Sequence, residues 1–262
     1  MPLEFSPLSL AAIALAVIPL AASLHIWRAR DTYGSIALLL LMLAAAQWSL
    51  CYGLEVASFD LSAKLFWAKA QWIGVALAPV LWLATAAHGT RDWSIVLGGW
   101  RWLLWLLVPL LIIGLVATND LHGLIWRNPA LPHNDSTLPI SMERGPFFWL
   151  SAIFAFGLCL LVSLLAVAAV IRLPMFRRRY AAAVLAGTSL PWLGNILYLA
   201  GIDLAAPLAY WLGGLALSWG LYQIRLLNLV PVARSAIVES MPDGVMVLDE
   251  TDRIVDCNPA AL

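Results

Sequence analysis

Residues 33–54 read YGSIALLLLMLAAAQWSLCYGL, twenty-two positions without a charged side chain. Crossing about 30 Å of hydrocarbon takes roughly 20 mostly apolar residues, so this run is long enough to span a bilayer. No water in a bilayer core can pair freed backbone groups, so such a segment must be helical. Six further runs surround it: Leu8–Trp27, Leu65–Ala87, Trp100–Ala117, Phe147–Ile171, Tyr180–Ala200 and Pro207–Ile224. The first also fits a secretory signal in length, but Glu4 precedes it and its basic residues, Arg28 and Arg30, follow it. That polarity is wrong for a cleaved signal. The whole chain agrees: of 262 residues 63% are hydrophobic and 11% charged, with a mean hydropathy of +0.88, whereas a soluble domain carries about a quarter charged residues. The expected fold class is an all-α membrane protein, a seven-transmembrane helix bundle with an α+β fragment at its C-terminus.

Fifteen basic residues balance fifteen acidic ones, so net charge says nothing while its distribution does. Basic residues are retained on the cytoplasmic side of a membrane. Connections after the odd-numbered spans hold Arg28, Arg30, Arg91, Arg101, Arg172, Arg177, Arg178, Arg179, Arg225 and Arg234. The other side holds only Lys64, Lys69, Arg127 and Arg144, among acids such as Glu55, Asp60 and Asp120. This predicts the N-terminus outside and the C-terminus cytoplasmic, with the long Thr118–Gly145 connection outside as an ordered lid or an irregular loop. With only Lys64 and Lys69 as lysines, no lysine-rich nucleic-acid surface is available. The three cysteines, Cys51, Cys159 and Cys257, are too scattered for a disulfide framework or a CxxC metal site.

The composition changes after Ile224. Leu226–Met241 has apolar residues at helical spacing and reads as an amphipathic connector, kinked at Pro231. Gly244–Asn258 carries two alternating β-rich runs around the polar turn Glu250–Arg253, a hairpin pattern. A lone hairpin is not stable in water, so the chain is expected to stop inside a domain that continues. The predicted organisation is a membrane domain over 1–225, a linker helix over 226–241 and the beginning of a cytoplasmic domain over 242–262.

Two strings in the long connection, TNDLHGLIW at 118–126 and GPFFW at 145–149, resemble the seven-transmembrane input region at the N-terminus of bacterial sensor histidine kinases and some diguanylate cyclases. The tail, MPDGVMVLD at 241–249 followed by RIVDCNPAA at 253–261, is similar to the opening of a PAS domain. The resemblance implies a signal-receptor module of a two-component system, multi-pass in the bacterial inner membrane. It also implies a homodimer through cytoplasmic domains and a structural part for His122, closing the loop beside Trp126. The fragment itself would not be an enzyme, and the full-length protein would be a histidine kinase or, alternatively, a diguanylate cyclase.

The residues agree that no catalysis resides here. His25 and His88 lie at span ends and His122 and His133 in the long connection, without the charged helical setting of a phosphoacceptor or a Gly-rich nucleotide loop. A retinal receptor needs a lysine in its last helix, and PLAYWLGGLALSWGLYQI at 207–224 has none. Asp120, His122, His133 and Asp135 form two Asp/His pairs, for which loop hydrogen bonding is a plainer account than zinc. Neither metal nor cofactor is expected.

The informative residues are polar groups inside spans, which must find partners or line a cavity. Gln47, Cys51 and Glu55 repeat every four positions and share a helix face, as do Trp67 and Gln71, and Asn195 with Tyr198. These residues, with Tyr52 and Trp211, lie at one depth on the outer side. The candidate site is therefore Gln47, Tyr52, Glu55, Trp67, Gln71, Asn195, Tyr198 and Trp211, beneath a lid carrying His122, Trp126 and Trp149. Each could equally be helix–helix glue or an interfacial anchor, and Glu55 could pair at the rim with Lys64 or Lys69. Pro79 and Pro191 lie inside spans, and Pro191 beside Trp192 and Gly194 is the candidate hinge. The expected ligand is a small hydrophobic or amphipathic molecule within the lipid bilayer's outer half. The rival readings are a transporter or channel, which would call for discontinuous helices and an internal repeat, and a ligand-free sensor of the bilayer.

Overall fold

A computed structural model describes residues 3–28, 35–88, 101–131, 138–172, 175–202, 208–210, 212–216, 243–244, 246–248, 254–257 and 259–261. The chain separates into two units, Met1–Gly220 and Leu221–Leu262. The first holds the helices α1 (Pro7–Arg28), α2 (Ser35–Ala57), α3 (Leu61–His88) and α4 (Arg101–Ala117). A single turn, α5 (Asn119–His122), and two strands, β1 (Trp126–Ala130) and β2 (Ser141–Arg144), lead into α6 (Pro146–Arg172) and α7 (Met175–Leu199). Residues 208–210 and 212–216 are helical within the seventh apolar run.

Local sequence explains where these helices begin. Ser6 caps α1 by accepting from the Ser9 N–H at 3.2 Å, with Pro7 at the first helical position, where a missing N–H costs nothing. Pro146 plays the same part in α6. Pro79 and Pro191 sit within α3 and α7, which remain helical through them. Each deprives the carbonyl four residues earlier of its donor.

Four of these helices are long and apolar enough to cross a membrane, and Leu104–Ala117 and Val184–Leu199 are shorter apolar helices. α2 and α3 form the centre, with 61% and 67% of their apolar windows buried against 28% for α1 and 22% for α6. α1 packs on α2, α2 on α3, α3 on α4 and α6, and α6 on α7. α2 and α3 come close at Gly74, where a Cβ would lie 2.5 Å from the Ala44 carbonyl oxygen. Only glycine lets those backbones meet there. Leu10, Val17 and Leu24 of α1 and Ile153, Leu160 and Leu164 of α6 are exposed, a surface suited to lipid rather than water.

In the second unit β3 (Met246–Leu248) pairs antiparallel with β4 (Ile254–Cys257), in the register Met246↔Cys257, Val247↔Asp256 and Leu248↔Ile254. A 3-10 turn follows at Pro259–Ala261. The hairpin expected over Gly244–Asn258 is thus present, while the Leu226–Met241 connector and Pro231 lie outside the described residues.

Candidate functional site

One end of the bundle is covered by the connection between α4 and α6, whose strands β1 and β2 form an antiparallel pair. β1 and β2 pair through Trp126↔Arg144, Arg127↔Glu143 and Ala130↔Ser141. Asn119, buried in α5, fixes this lid: its Oδ1 accepts from the Ile125 N–H at 2.9 Å and its amide donates to the Trp126 carbonyl at 2.9 Å. His122 bonds to the Thr118 hydroxyl at 3.1 Å and accepts from the Leu124 N–H at 3.1 Å. Gly123 ends the turn with φ +58°, a left-handed geometry that favours glycine. A Cβ on Gly145 would stand 2.2 Å from the Leu124 carbonyl oxygen, so the hairpin can return only over a bare backbone. Trp126 is thereby driven into a buried cluster with Trp72, Ile112, Ile125 and Phe148.

Two buried residues of opposite charge tie the lid to the bundle. The Glu55 carboxylate accepts from the Gln71 amide and, at 3.0 Å, from the Ile140 backbone N–H. Lys64, wholly buried, donates to the carbonyls of Glu55 at 3.0 Å, Val56 at 3.3 Å and Leu138 at 2.9 Å. Two of these carbonyls lie in the last turn of α2, where the helix dipole favours a cation. Three N–H donors thus meet three carbonyls, the condition under which a charge can be buried at all. Lys69 pairs with Asp120 at 2.6 Å. Of the two lysines considered as partners for Glu55, Lys69 therefore serves α5.

Under the lid lies a cavity of about 290 Å³. Tyr52 and Glu55 of α2, Gln71 of α3, Ile140 and Met142 of the lid and Arg144 at its edge are among its walls. A deeper pocket of about 60 Å³ lies against Ala76, Pro79, Ile112, Phe154 and Asn195. The two spaces share Trp48, Trp72, Val75, Phe148 and Tyr198 as walls, so a chamber of mixed polarity stands next to a more apolar one. Arg144 stretches over aromatic rings, its guanidinium carbon 5.1 Å from the Phe148 centroid, 5.7 Å from Tyr198 and 5.8 Å from Trp149. It donates to the carbonyls of Tyr198 and Leu199, each at 3.3 Å.

At the foot of the deep pocket the packing is filled by Tyr210. Its ring lies 5.9 Å from that of Trp48 and 6.1 Å from that of Trp82. Its hydroxyl accepts from the Asn195 amide at 3.4 Å and lies 3.9 Å from Cys159 Sγ. Trp82 in turn donates to the Thr188 hydroxyl at 3.0 Å. Side chains from α2, α3, α6 and α7 thus converge on one residue of the seventh apolar run.

The residues chosen from sequence divide accordingly. Tyr52, Glu55, Gln71 and Tyr198 line the cavity, Asn195 and Tyr198 the deep pocket, and Trp126 forms part of the roof. Gln47 lies between helices, donating to the Ala70 carbonyl at 2.7 Å. Trp67 stacks edge-on against Phe66, with its ring N–H buried and unpaired. Neither borders either space. Trp149 is half-exposed under Arg144, and Pro191 precedes Trp192, whose ring N–H reaches the Ser163 hydroxyl of α6 at 3.2 Å. Trp211, His133 and Asp135 lie outside the described residues. Sequence reasoning did not single out Trp48, Trp72, Phe148 and Arg144 as wall residues. The four-residue step from Trp48 to Tyr52 was the available signal for the first, and the hairpin register that places Arg144 opposite Trp126 has no sequence equivalent.

No curated protein matches the chain in sequence. A PAS domain model matches residues 235–262, the segment that holds the β3–β4 hairpin. A second family model matches residues 10–231, the helices, the lid and the cavity together, and on that coverage the chain belongs to the family of N-terminal seven-transmembrane regions of histidine kinases.

Proposed function

We propose that this sensory membrane region, itself without enzymatic activity, recognises a small amphipathic molecule in the cavity beneath the lid. The seventh helix then relays occupancy to the PAS domain and onward to a kinase domain. In this reading the lid faces the outside of a bacterial inner membrane and the C-terminus the cytoplasm, as the arginine distribution requires, and dimerisation runs through the cytoplasmic domains. The observation that carries it is a chamber of about 290 Å³ that shares five wall residues with a neighbouring apolar pocket, the mixture of apolar walls and few polar groups typical of small-molecule sites. Trp48 and Asn195 border that space and also touch Tyr210, so a ligand that favours one setting of these side chains has a direct route to the last helix. Differential affinity for two packings is what a ligand needs to shift an equilibrium.

Ala152 of α6 borders the deep pocket, and an indole there would fill it. In nanodiscs the chain should show saturable binding of short-chain alcohols and acids, read from tryptophan fluorescence. Ala152→Trp should weaken that binding by about 10-fold or more, the loss of one well-packed apolar group. Linear, non-saturable partitioning that is the same in both proteins would refute the site.

A further inference from the structure

The charges around the cavity select among amphipathic ligands, and the argument rests on the receptor reading above. Glu55 is the acid in the wall, and its two carboxylate oxygens accept from Gln71 and from the Ile140 N–H, with the Lys64 ammonium held 3.0 Å from its backbone carbonyl. Its oxygens already hold the lid, which leaves it poorly placed to receive a cationic ligand. Arg144 is different. It borders the same cavity, is exposed, and pairs with no carboxylate among the described residues. A guanidinium has five N–H donors and stays charged at any relevant pH. Two of its nitrogens are directed at the Tyr198 and Leu199 carbonyls, and its face rests against the rings of Phe148, Trp149 and Tyr198. The side chain is thus held at the mouth of the cavity with donors to spare. From there the walls become steadily less polar, past Trp72 and Phe148 to Ala76, Pro79 and Phe154.

We propose that the ligand is an amphiphilic anion, with its anionic head at Arg144 and its apolar tail running beneath the lid toward Pro79. Arg144 would then be a specificity residue, choosing anions over neutral or cationic molecules of the same tail. Its planar fork matches a carboxylate or phosphate oxygen pair, and the aromatic platform restricts its motion before the ligand arrives. A free single-chain acid and an anionic lipid headgroup share this chemistry.

The test uses the full chain in nanodiscs of purely zwitterionic lipid, with octanoate, octanol and octylamine as probes and empty nanodiscs as the reference. Octanoate should bind at least 10-fold more tightly than either of the others. Arg144→Gln should lose about 10- to 100-fold of octanoate affinity, the range for a hydrogen bond to a charged group. Octanol binding should be unchanged in that variant, which also shows that the cavity has survived. Arg144→Lys, which keeps the charge without the fork, should fall between. Adding phosphatidylglycerol to the nanodiscs separates the sources. If octanoate is displaced only when Arg144 is present, the bilayer supplies the anion; if it is not displaced, a free amphiphile does, and either result supports the assignment. Octanoate bound no better than octanol, or bound equally by Arg144→Gln, overturns the anion while leaving the cavity standing. Failure of all three probes to bind saturably overturns the receptor reading itself.

Discussion

α3 and α6 are of nearly equal length, 28 and 27 residues, yet they sit in the bundle in opposite ways. The apolar run of α3 is the less hydrophobic of the two and yet the more buried, 67% against 22%. In a soluble protein the more apolar helix would be the inner one. Here the order is reversed, because lipid tails solvate leucine as well as a protein interior does, and only polar groups and close backbone packing have a reason to turn inward. α3 brings Lys64, Gln71 and Gly74 to the inside, whereas α6 turns Ile153, Leu160 and Leu164 outward.

The contrast can be broken most forcefully at Lys64. Lys64→Met removes the donors that the carbonyls of Glu55, Val56 and Leu138 accept from in a fully buried position. The expected loss is about 1–3 kcal/mol for each carbonyl left without its donor, read as a fall in melting temperature in nanodiscs and as protease cutting of the 138–144 segment. Leu160→Met on the outward face of α6 should change stability by under about 0.5 kcal/mol. Equal effects of the two would undo the comparison.

Glycines give the next test. Gly74→Ala drives a methyl group against the Ala44 carbonyl and should destabilise by about 1–3 kcal/mol. Gly157 of α6 has nothing within 4 Å of its would-be Cβ, so Gly157→Ala should be neutral or stabilising by up to about 1 kcal/mol. Thermal unfolding of the two variants side by side decides the matter, and a stabilised Gly74→Ala would mean that α2 and α3 are not in close contact.

A loss smaller than those at Lys64 and Gly74 is expected at Tyr210. Tyr210→Phe keeps the ring contacts with Trp48 and Trp82 but removes the hydroxyl shared with Asn195 and Cys159, costing about 1 kcal/mol. On the proposed receptor reading, this variant should still bind octanoate while any phosphorylation response of a kinase that carries this region is lost. A full response would remove Tyr210 from the relay.

Much of this was legible along the chain, for reasons that the contrast between α3 and α6 makes plain. Apolar runs of span length and the alternating pattern over Gly244–Asn258 are local features, and they became the helices and the β3–β4 hairpin. Glu55, Gln71, Asn195 and Tyr198 were visible as polar groups at one depth, and they border the cavity or its deep pocket. Gln47 and Trp67 share the same periodicity and depth but point between helices or at a neighbouring ring, because helical spacing fixes a face and not the rotation of that face. Arg144 counted only as a charge on one side of the membrane until β1 and β2 paired.

The sequence by itself determined that the chain is a helical membrane module followed by a β-hairpin segment, because length, hydropathy and alternation act within one element at a time. The tertiary structure alone decided which polar residues face each other. It set the Glu55 and Lys64 fastenings to residues 138–140, the hairpin that drives Trp126 inward, and the cavity beneath it. Those depend on groups far apart in the chain, brought together because a buried donor or charge is stable only beside its partner.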